Sequence, residues 1–178
     1  MVLSDHGFAR LKKEVYLNRF LGEKGFLMLR KEGNFYERIA EGTRAFVLDP
    51  GRIYLHDRDR YPRGAVRKEE RLNLLKEIKE ALGSLKGEKG EKIIDRIYEK
   101  EEIYHGPYSG VAPDLICLPK DGYDLKGSLE KREIFGQNIF TGMHTWHDAF
   151  CLLPENITFS QKPSIQNLTE FILRHYSE

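Results

Sequence analysis

The chain has 178 residues, of which 40% are hydrophobic and 32% charged, enough for one globular domain with a buried core. Its 29 basic residues nearly balance 28 acidic ones, and the net charge of +1 argues against a dedicated nucleic-acid or anionic-membrane binder. No stretch approaches the roughly 18 apolar residues of a membrane span, so we expect no membrane partner. Met1 is not followed by a charged and then apolar leader, and we therefore expect a cytoplasmic protein.

The first half of the chain predicts short strands around one helix. Leu11, Val15 and Leu21 recur near helical spacing and predict a helix. Glycine and proline punctuate the remaining apolar runs, as expected for strands joined by turns. The predicted elements are the end of a strand at Met1–Leu3, a helix over Phe8–Leu21, a strand at Phe26–Leu29, and strands at Ala45–Leu48 and Ile53–Leu55 split by an Asp49-Pro50-Gly51 turn.

The second half predicts two helices and three buried strands. Leu72, Leu75, Ile78 and Leu82 give the clearest amphipathic helix in the chain. The apolar runs predict strands at Lys92–Tyr98, Asp114–Leu118 and Ala149–Leu153, and a closing helix over Ser164–Tyr176 has Ser164 as its N-cap. Strands mixed with helices predict an α/β fold. We expect a single domain over residues 1–178.

Two cysteines, Cys117 and Cys151, each lie inside an apolar run. We interpret both as small buried hydrophobic residues. The chain contains no Cys-x-x-Cys spacing, so the sequence does not predict a cysteine-based zinc site.

Two histidine segments are candidates for metal chemistry. Asp5-His6-Gly7 follows a short apolar strand, and ligands of open α/β folds bind where strands end. An Asp oxygen and a His nitrogen at such a place can both turn toward one divalent ion, but without further context a surface turn is the better explanation of the pair. In the second segment, Gly142-Met143-His144, a glycine stands shortly before a histidine, which fits a backbone held close to a ligand or a loop with a hydrogen-bonded histidine.

The residues after His144 and an arginine-rich loop leave further alternatives open. His147 and Asp148 either orient metal ligands or face solvent, and the sequence favours solvent. Arginine forks bind phosphate oxygens, so the loop either clamps a phosphate or forms exposed ion pairs with Asp57 and Asp59. Its arginines are Arg52, Arg58, Arg60 and Arg63.

Four blocks of sequence together resemble one protein family. They are SDHGF (4–8), AFVLDPGRIYLHDRDRYPRGAV (45–66), APDLICLPKDGYDLKG (112–127) and TGMHTWHDAF (141–150). In this order they resemble the type I phosphodiesterase/nucleotide pyrophosphatase group of the alkaline phosphatase superfamily. Within that group the chain is most similar to the predicted phosphohydrolase/phosphomutase branch of archaea and bacteria.

The resemblance implies a fold and a site. The fold is a mostly parallel sheet flanked by helices, alkaline-phosphatase-like and represented here by its C-terminal portion. The site holds two divalent metal ions, zinc or manganese, and a Thr or Ser nucleophile that forms a covalent phospho-enzyme. Asp5 and His6 match the pair that binds the metal next to the nucleophile, and His144 matches the late histidine that binds the other metal. Thr145 stands where the family often has glycine.

The chain departs from the family pattern ahead of Ser4. The resemblance places the nucleophile and the remaining ligands upstream of the SDHG block, and no residue here matches the nucleophile position. We therefore predict no catalytic residue, weak or absent metal binding, and a chain that is inactive alone. We expect completion by an N-terminal partner polypeptide or a homodimer. The alternatives are a non-catalytic remnant or interaction domain, and the cofactor-independent phosphoglycerate mutase branch, which the 49–66 and 122–127 blocks fit less well.

Overall fold

The computed structural model describes residues 1–153 and 164–176 of the chain. They form two compact units, each described by itself: a terminal unit, Met1–Ala9 with Gly142–Glu178, and a central unit, Arg10–Thr141. The single domain expected over residues 1–178 stays a prediction. The strands are β1 Val2–Leu3, β2 Gly7–Arg10, β3 Lys13–Tyr16, β4 Ala45–Val47, β5 Arg52–Leu55, β6 Ile94–Glu99, β7 Leu115–Pro119, β8 Tyr123–Lys126, β9 Phe135–Gly136, β10 Gly142–Thr145 and β11 Cys151–Leu152, and the helices are α1 Leu17–Glu23, α2 Phe35–Arg38, α3 Arg71–Gly83, α4 Lys100–Ile103 and α5 Leu168–Tyr176.

The terminal unit is built on two small sheets, each with two strands. β1 pairs antiparallel with β11, and β2 pairs with β10. Each sheet therefore joins a segment near residue 1 to a segment near residue 150. The closing helix predicted over 164–176 is present as α5, preceded by a 3₁₀ turn over Ile165–Asn167. Ser164 makes no capping bond to the main chain, because its hydroxyl donates to the side-chain oxygen of Asn167.

The helix predicted over Phe8–Leu21 is wrong for most of its length. The chain forms β2 and then β3 before α1 begins at Leu17. β3 is the middle strand of a three-stranded sheet, parallel to β8 and antiparallel to β9. Pairing on both edges stabilises the extended conformation of Glu14 and Val15, which the local apolar spacing alone does not reveal. The strand predicted at Phe26–Leu29 is also absent, and Leu29 forms only an isolated bridge with Ile39.

The central unit contains a four-stranded sheet in the order β4-β5-β7-β6, in which neighbouring strands are antiparallel. A tight turn joins β4 to β5, with the Arg52 amide donating to the Asp49 carbonyl at 3.1 Å. Pro50 fixes the first central position of this turn, and Gly51 takes the positive φ of 71° that the second requires. The turn predicted at Asp49-Pro50-Gly51 is confirmed.

A mostly parallel sheet is not what the structure contains. Among the strand pairs whose direction the described residues define, β3 with β8 is parallel and the others are antiparallel. A tight turn accounts for the β4–β5 pair, since strands joined in this way must run antiparallel, whereas parallel neighbours need a long crossover. The α/β class is confirmed in its coarse form, as a mixture of helices with several mainly antiparallel sheets.

Helix α3 supplies much of the apolar face that packs on the central unit's core. Its buried residues are Leu74, Leu75, Ile78 and Leu82. The sequence predicts Leu72 on this face, but Leu72 is 79% exposed, and Leu74, two residues further on, is buried instead. Side chains with no exposed surface from the sheet complete the core: Phe46, Ile53, Leu55 and Leu115. Cys117 is buried beside them, which raises the pKa of its thiol to about 12, whereas Cys151 is half-buried.

Asp114 is the central charge of a buried ion cluster. Its side chain is 1% exposed, and its carboxylate accepts a hydrogen bond from the Leu55 amide at 2.8 Å. Arg71 donates to it at 2.7 Å, and Lys100 and Arg60 lie within ion-pair distance. These partners belong to different elements: β5, the start of α3, α4, and the loop after β5. One carboxylate thus ties the sheet to the helices around it.

The substitution Asp114→Ala is expected to lower the free energy of unfolding by about 3 kcal/mol, because it leaves partly buried cations without a carboxylate. Urea denaturation followed by circular dichroism measures this loss. Asp59→Ala is the matched control, since Asp59 is exposed and its loss is expected to change stability by less than about 0.5 kcal/mol. Equal stability of the two variants would show that the Asp114 cluster does not hold the central unit together.

Candidate metal centre

The segment Ser4–His6 lies between the two small sheets of the terminal unit. The Ser4 amide donates to the Phe150 carbonyl at 3.0 Å, and the Ser4 hydroxyl accepts from the Phe150 amide at 3.0 Å. These bonds continue the β1–β11 pairing by one residue, and β2 begins at Gly7. Asp5 and His6 therefore occupy a connection that is fixed at both ends by strand pairing.

His144 is brought to this connection by β10. Met143 and Thr145 are buried while His144 between them is exposed, the alternation of a strand with one covered face. The imidazole rings of His6 and His144 stack with their centres 3.9 Å apart and their planes 23° apart. Phe8 lies on the other side, with its ring centre 5.8 Å from that of His144. Two of the three residues predicted as metal ligands are thus in direct contact.

The tautomer of His6 is set by its own main chain. Its Nδ1 lies 2.8 Å from the Gly7 carbonyl oxygen. A carbonyl oxygen only accepts hydrogen bonds, so Nδ1 carries the proton and Nε2 keeps its lone pair. That Nε2 lies 3.5 Å from Oδ1 of Asp5. Nε2 of His6 and a carboxylate oxygen of Asp5 therefore stand side by side, on side chains that are 36% and 75% exposed.

The donor set is incomplete as a metal site. Within residues 1–153 and 164–176, no group of three or more His, Cys, Asp or Glu side chains is arranged to hold a metal ion. Imidazole nitrogen and carboxylate oxygen are suitable donors for zinc and manganese. The chemistry of Asp5, His6 and His144 fits such ions. Divided between two ions, as the resemblance implies, they give one ion two ligands and the other a single ligand, fewer than the three that catalytic zinc takes from protein.

A glycine permits the approach of the two strands. A Cβ atom added to Gly7 would lie 2.1 Å from the His147 carbonyl oxygen and 2.4 Å from the Thr145 hydroxyl oxygen. Both distances are far below van der Waals contact. Gly142 is less constrained: its Cβ would lie 2.2 Å from the ring of Phe8, but that side chain is exposed and can move aside. Glycine at these two positions lets β2 and β10 bring His6 against His144.

His147 and Asp148 form a pair beside this strand. Nδ1 of His147 lies 2.6 Å from Oδ2 of Asp148, so the carboxylate orients the ring. Asp148 adopts a positive φ of 62°, a conformation uncommon for residues other than glycine. The Thr145 hydroxyl donates to the His147 carbonyl at 2.9 Å and fixes the main chain of this turn.

Three arginines of the arginine-rich loop form contacts within the protein that the sequence does not predict. Its arginines hold main-chain carbonyls: Arg58 that of Ala65 at 3.3 Å, Arg60 that of Ala112 at 3.0 Å, and Arg63 that of Tyr36 at 2.7 Å. Asp57 pairs with Arg71 from α3 instead of with an arginine of its own loop. The loop arginines thus fasten the chain around the cluster at Asp114.

Sequence reasoning missed that cluster. Asp57, Asp114, Arg60, Arg71 and Lys100 line a cleft of about 500 Å³. Burial raises the pKa of Asp57 although Arg71 opposes the shift, and one of its oxygens is buried without a hydrogen-bond partner among the described residues. The sequence did contain one indication of it. Asp114 begins a fully apolar run, and a carboxylate buried with such a run needs charged partners.

His56 has a structural environment. It has no exposed surface, its Nδ1 lies 3.0 Å from the Thr43 carbonyl oxygen, and its Nε2 lies 3.2 Å from the Tyr36 hydroxyl. Burial lowers the pKa of His56, so the ring is neutral in the folded protein. Both nitrogens are occupied, which excludes His56 as a metal ligand in this conformation.

Comparison with known proteins identifies a family. A sequence model of the family described as type I phosphodiesterase / nucleotide pyrophosphatase matches residues 1–147. No curated protein and no solved structure matches the chain. Within the described residues, no helix is long and apolar enough to cross a membrane.

The substitution Gly7→Ala is expected to separate the His6 and His144 rings, because the new methyl group collides with main chain that cannot rotate away. Heteronuclear NMR of ¹³C/¹⁵N-labelled imidazoles measures the effect as loss of the contacts between the two rings. Gly110→Ala is the control, since a Cβ atom there meets nothing within 4 Å. Retention of the ring contacts in Gly7→Ala would show that the glycine is not required for the pairing.

Proposed function

The chain belongs to the type I phosphodiesterase/nucleotide pyrophosphatase family, and from this premise we propose that it supplies Asp5, His6 and His144 to a two-metal phosphodiesterase site. The observation that carries the proposal is the stacking of His6 on His144. These histidines lie near opposite ends of the matched region, yet their rings are in contact. If each histidine served only to hydrogen-bond its own turn, the two rings would not need to be in contact.

The placement of the three donors supports two neighbouring ions. Ions in two-metal phosphoryl-transfer sites lie about 3.5–4 Å apart. The His6 and His144 ring centres are 3.9 Å apart, so the two imidazoles are close enough to belong to one such two-ion site. Asp5 stands next to Nε2 of His6 and would share its ion. We assign Asp5 and His6 to one ion and His144 to the other, with zinc or manganese as the metals.

The chain's own residues contribute metal binding and orientation. Divalent ions bound at such a site polarise the phosphoryl group and stabilise the leaving oxygen. The Gly7 carbonyl holds His6 in the tautomer whose Nε2 is free to ligate, and the β10 alternation presents His144 to solvent where substrate arrives. We propose no nucleophile among the residues of this chain, and we propose that another polypeptide supplies the nucleophile and the remaining ligands.

The exposed strands of the terminal unit support such a partner. Val2 on β1 and Leu152 on β11 are opposite each other in the pairing and are 60% and 61% exposed. Phe8 and Trp146 in the same unit are also largely exposed. Two-stranded sheets are marginal in water unless further strands or helices cover them. We propose that an N-terminal partner polypeptide, or a second copy of the chain, covers this surface.

Metal binding tests the assignment. Equilibrium dialysis against zinc or manganese, followed by elemental analysis, is expected to show weak binding that falls roughly tenfold or more in His6→Ala and in His144→Ala. His105→Ala is the matched control, because His105 is exposed and outside the site. The purified chain is expected to give no turnover of bis-p-nitrophenyl phosphate in either metal.

Two outcomes of that experiment would contradict the proposal. Equal metal binding by the three histidine variants would show that Asp5, His6 and His144 do not form the metal site. Stoichiometric metal with turnover that disappears in His144→Ala would place a working nucleophile in this chain or its homodimer, and the proposal of a missing nucleophile would be refuted.

Light scattering tests the partner. A homodimer at micromolar concentration that dissociates in Leu152→Asp, but not in Leu72→Asp on α3, is the expected result if a second copy covers the β1–β11 surface. Leu72 is a suitable control because it is equally apolar and 79% exposed. A monomer unaffected by either change would refute the homodimer, and co-purification with a co-expressed N-terminal polypeptide of the family would then decide the remaining alternative.

A further inference from the structure

We propose that the central unit carries a second ligand site, a basic cleft that binds a small phosphorylated anion. The cleft has a volume of about 340 Å³ and is formed by three segments: α1, the stretch from Leu29 to Arg38, and the loop between β8 and β9. Its volume falls within the range of small-molecule sites. The proposal stands apart from the metal centre, since the two involve different residues and different chemistry.

Charge is the first observation. Four cationic side chains line the cleft, Arg19, Arg38, Lys131 and Arg132, against one carboxylate, Glu130, which leaves a local charge of +3. The whole chain carries only +1. A concave surface with this excess of one sign focuses its field and attracts anions. The cleft at Asp114 differs, because Asp57, Asp59, Glu101 and Asp114 balance its four cations.

The second observation is how few strong partners these cations have within the protein. Arg19 pairs with Glu23 one turn along α1 at 2.9 Å, and both side chains are more than 40% exposed. The Lys131 ammonium lies 4.9 Å from the centre of the Tyr16 ring. Arg132 is exposed and forms no ion pair, hydrogen bond or ring contact within the part of the chain that the structure describes. The cleft therefore holds an arginine fork available to a ligand, with exposed pairs around it that cost little to rearrange.

The carboxylate of Glu130 occupies the place beside Arg38 that we expect a bound anion to take. Its carboxylate accepts a hydrogen bond from Arg38, whose side chain is 18% exposed, while Glu130 itself is 74% exposed. A partly buried guanidinium is thus held by a carboxylate that solvent can replace. Phosphate competes well for such a fork, because its oxygens accept paired N–H bonds and carry up to two charges.

The floor of the cleft is rigid. Asn18 is buried, donates from Nδ2 to the carbonyls of Val47 and Gly127 at 2.8 and 2.7 Å, and accepts from the Val47 amide at 2.8 Å. These bonds join α1 to β4 and to the residue that follows β8. Leu129 is buried and anchors the loop that presents Lys131 and Arg132. The cationic groups therefore stand on a fixed frame, which lowers the entropy lost when a ligand binds.

Titration of the full chain with inorganic phosphate tests the proposal. EDTA in the buffer keeps metal from contributing, and ¹H–¹⁵N spectra follow the amides. We expect saturable shifts of residues lining the cleft, with a dissociation constant that rises roughly tenfold in Lys131→Ala/Arg132→Ala. Glu130→Gln is expected to change affinity in the opposite direction, because it removes the competing carboxylate. Lys89→Ala, on an exposed loop, is the control for the loss of surface charge.

Further ligands define the chemical class. Glycerol phosphate is expected to bind at least as tightly as inorganic phosphate, and succinate more weakly, if the cleft selects the phosphoryl group. Equal dissociation constants for the wild type and the double variant, or shifts that follow ionic strength alone, would overturn the proposal. Glu130→Gln guards against misfolding, since improved binding cannot come from a damaged protein. Metal binding at Asp5, His6 and His144 is read separately, so either proposal can fail without the other.

Discussion

The candidate metal centre depends on the close approach of two chain segments that are distant in sequence. Hydrogen bonds pair Val2–Ser4 with Phe150–Leu152, and Gly7 lies where a single methyl group would strike the main chain at His147. The contact between His6 and His144 follows from this approach, because strand pairing fixes the position of each backbone. The site therefore has little freedom to adjust, because the pairing of β2 with β10 also fixes the relative positions of His6 and His144.

Burial is distributed differently in the two units, and this difference matters for function. The central unit has an extensive apolar core and a buried carboxylate, Asp114, that ties four elements together. The terminal unit presents Val2, Phe8 and Leu152 to solvent around the residues that we assign to metal. The buried core thus lies where no catalytic role is proposed, while the proposed ligands lie on or beside short strands with exposed apolar side chains. This arrangement suits a site that is completed by assembly.

Much of the secondary structure follows from local patterns, and its largest failure comes from pairing between distant segments. The apolar runs at Ala45–Leu48, Ile53–Leu55 and Asp114–Leu118 became strands because burial on both faces suits short apolar segments. The helix predicted over Phe8–Leu21 fails because the partners of β3 are more than 100 residues away, and nothing local encodes that pairing. The same long-range pairing hides the site: spacing alone marked Asp5-His6 and His144 as separate turns. Only the resemblance named them together, and the contact between their rings needed the structure.

Arginine has two different roles in this molecule. The roles differ in whether the partner of the guanidinium group is buried, not in how many arginines are present. Around Asp114, the guanidinium groups of Arg60 and Arg71 bind a buried carboxylate and main-chain carbonyls, so their partners are supplied by the fold. At the cleft beside α1, Arg38 meets an exposed glutamate and Arg132 meets solvent. Removing a buried partner costs about 3–5 kcal/mol, whereas exchanging an exposed one costs less than about 1 kcal/mol. An incoming anion should therefore displace Glu130 more readily than Asp114, which is why we place the proposed reversible site at the cleft beside α1.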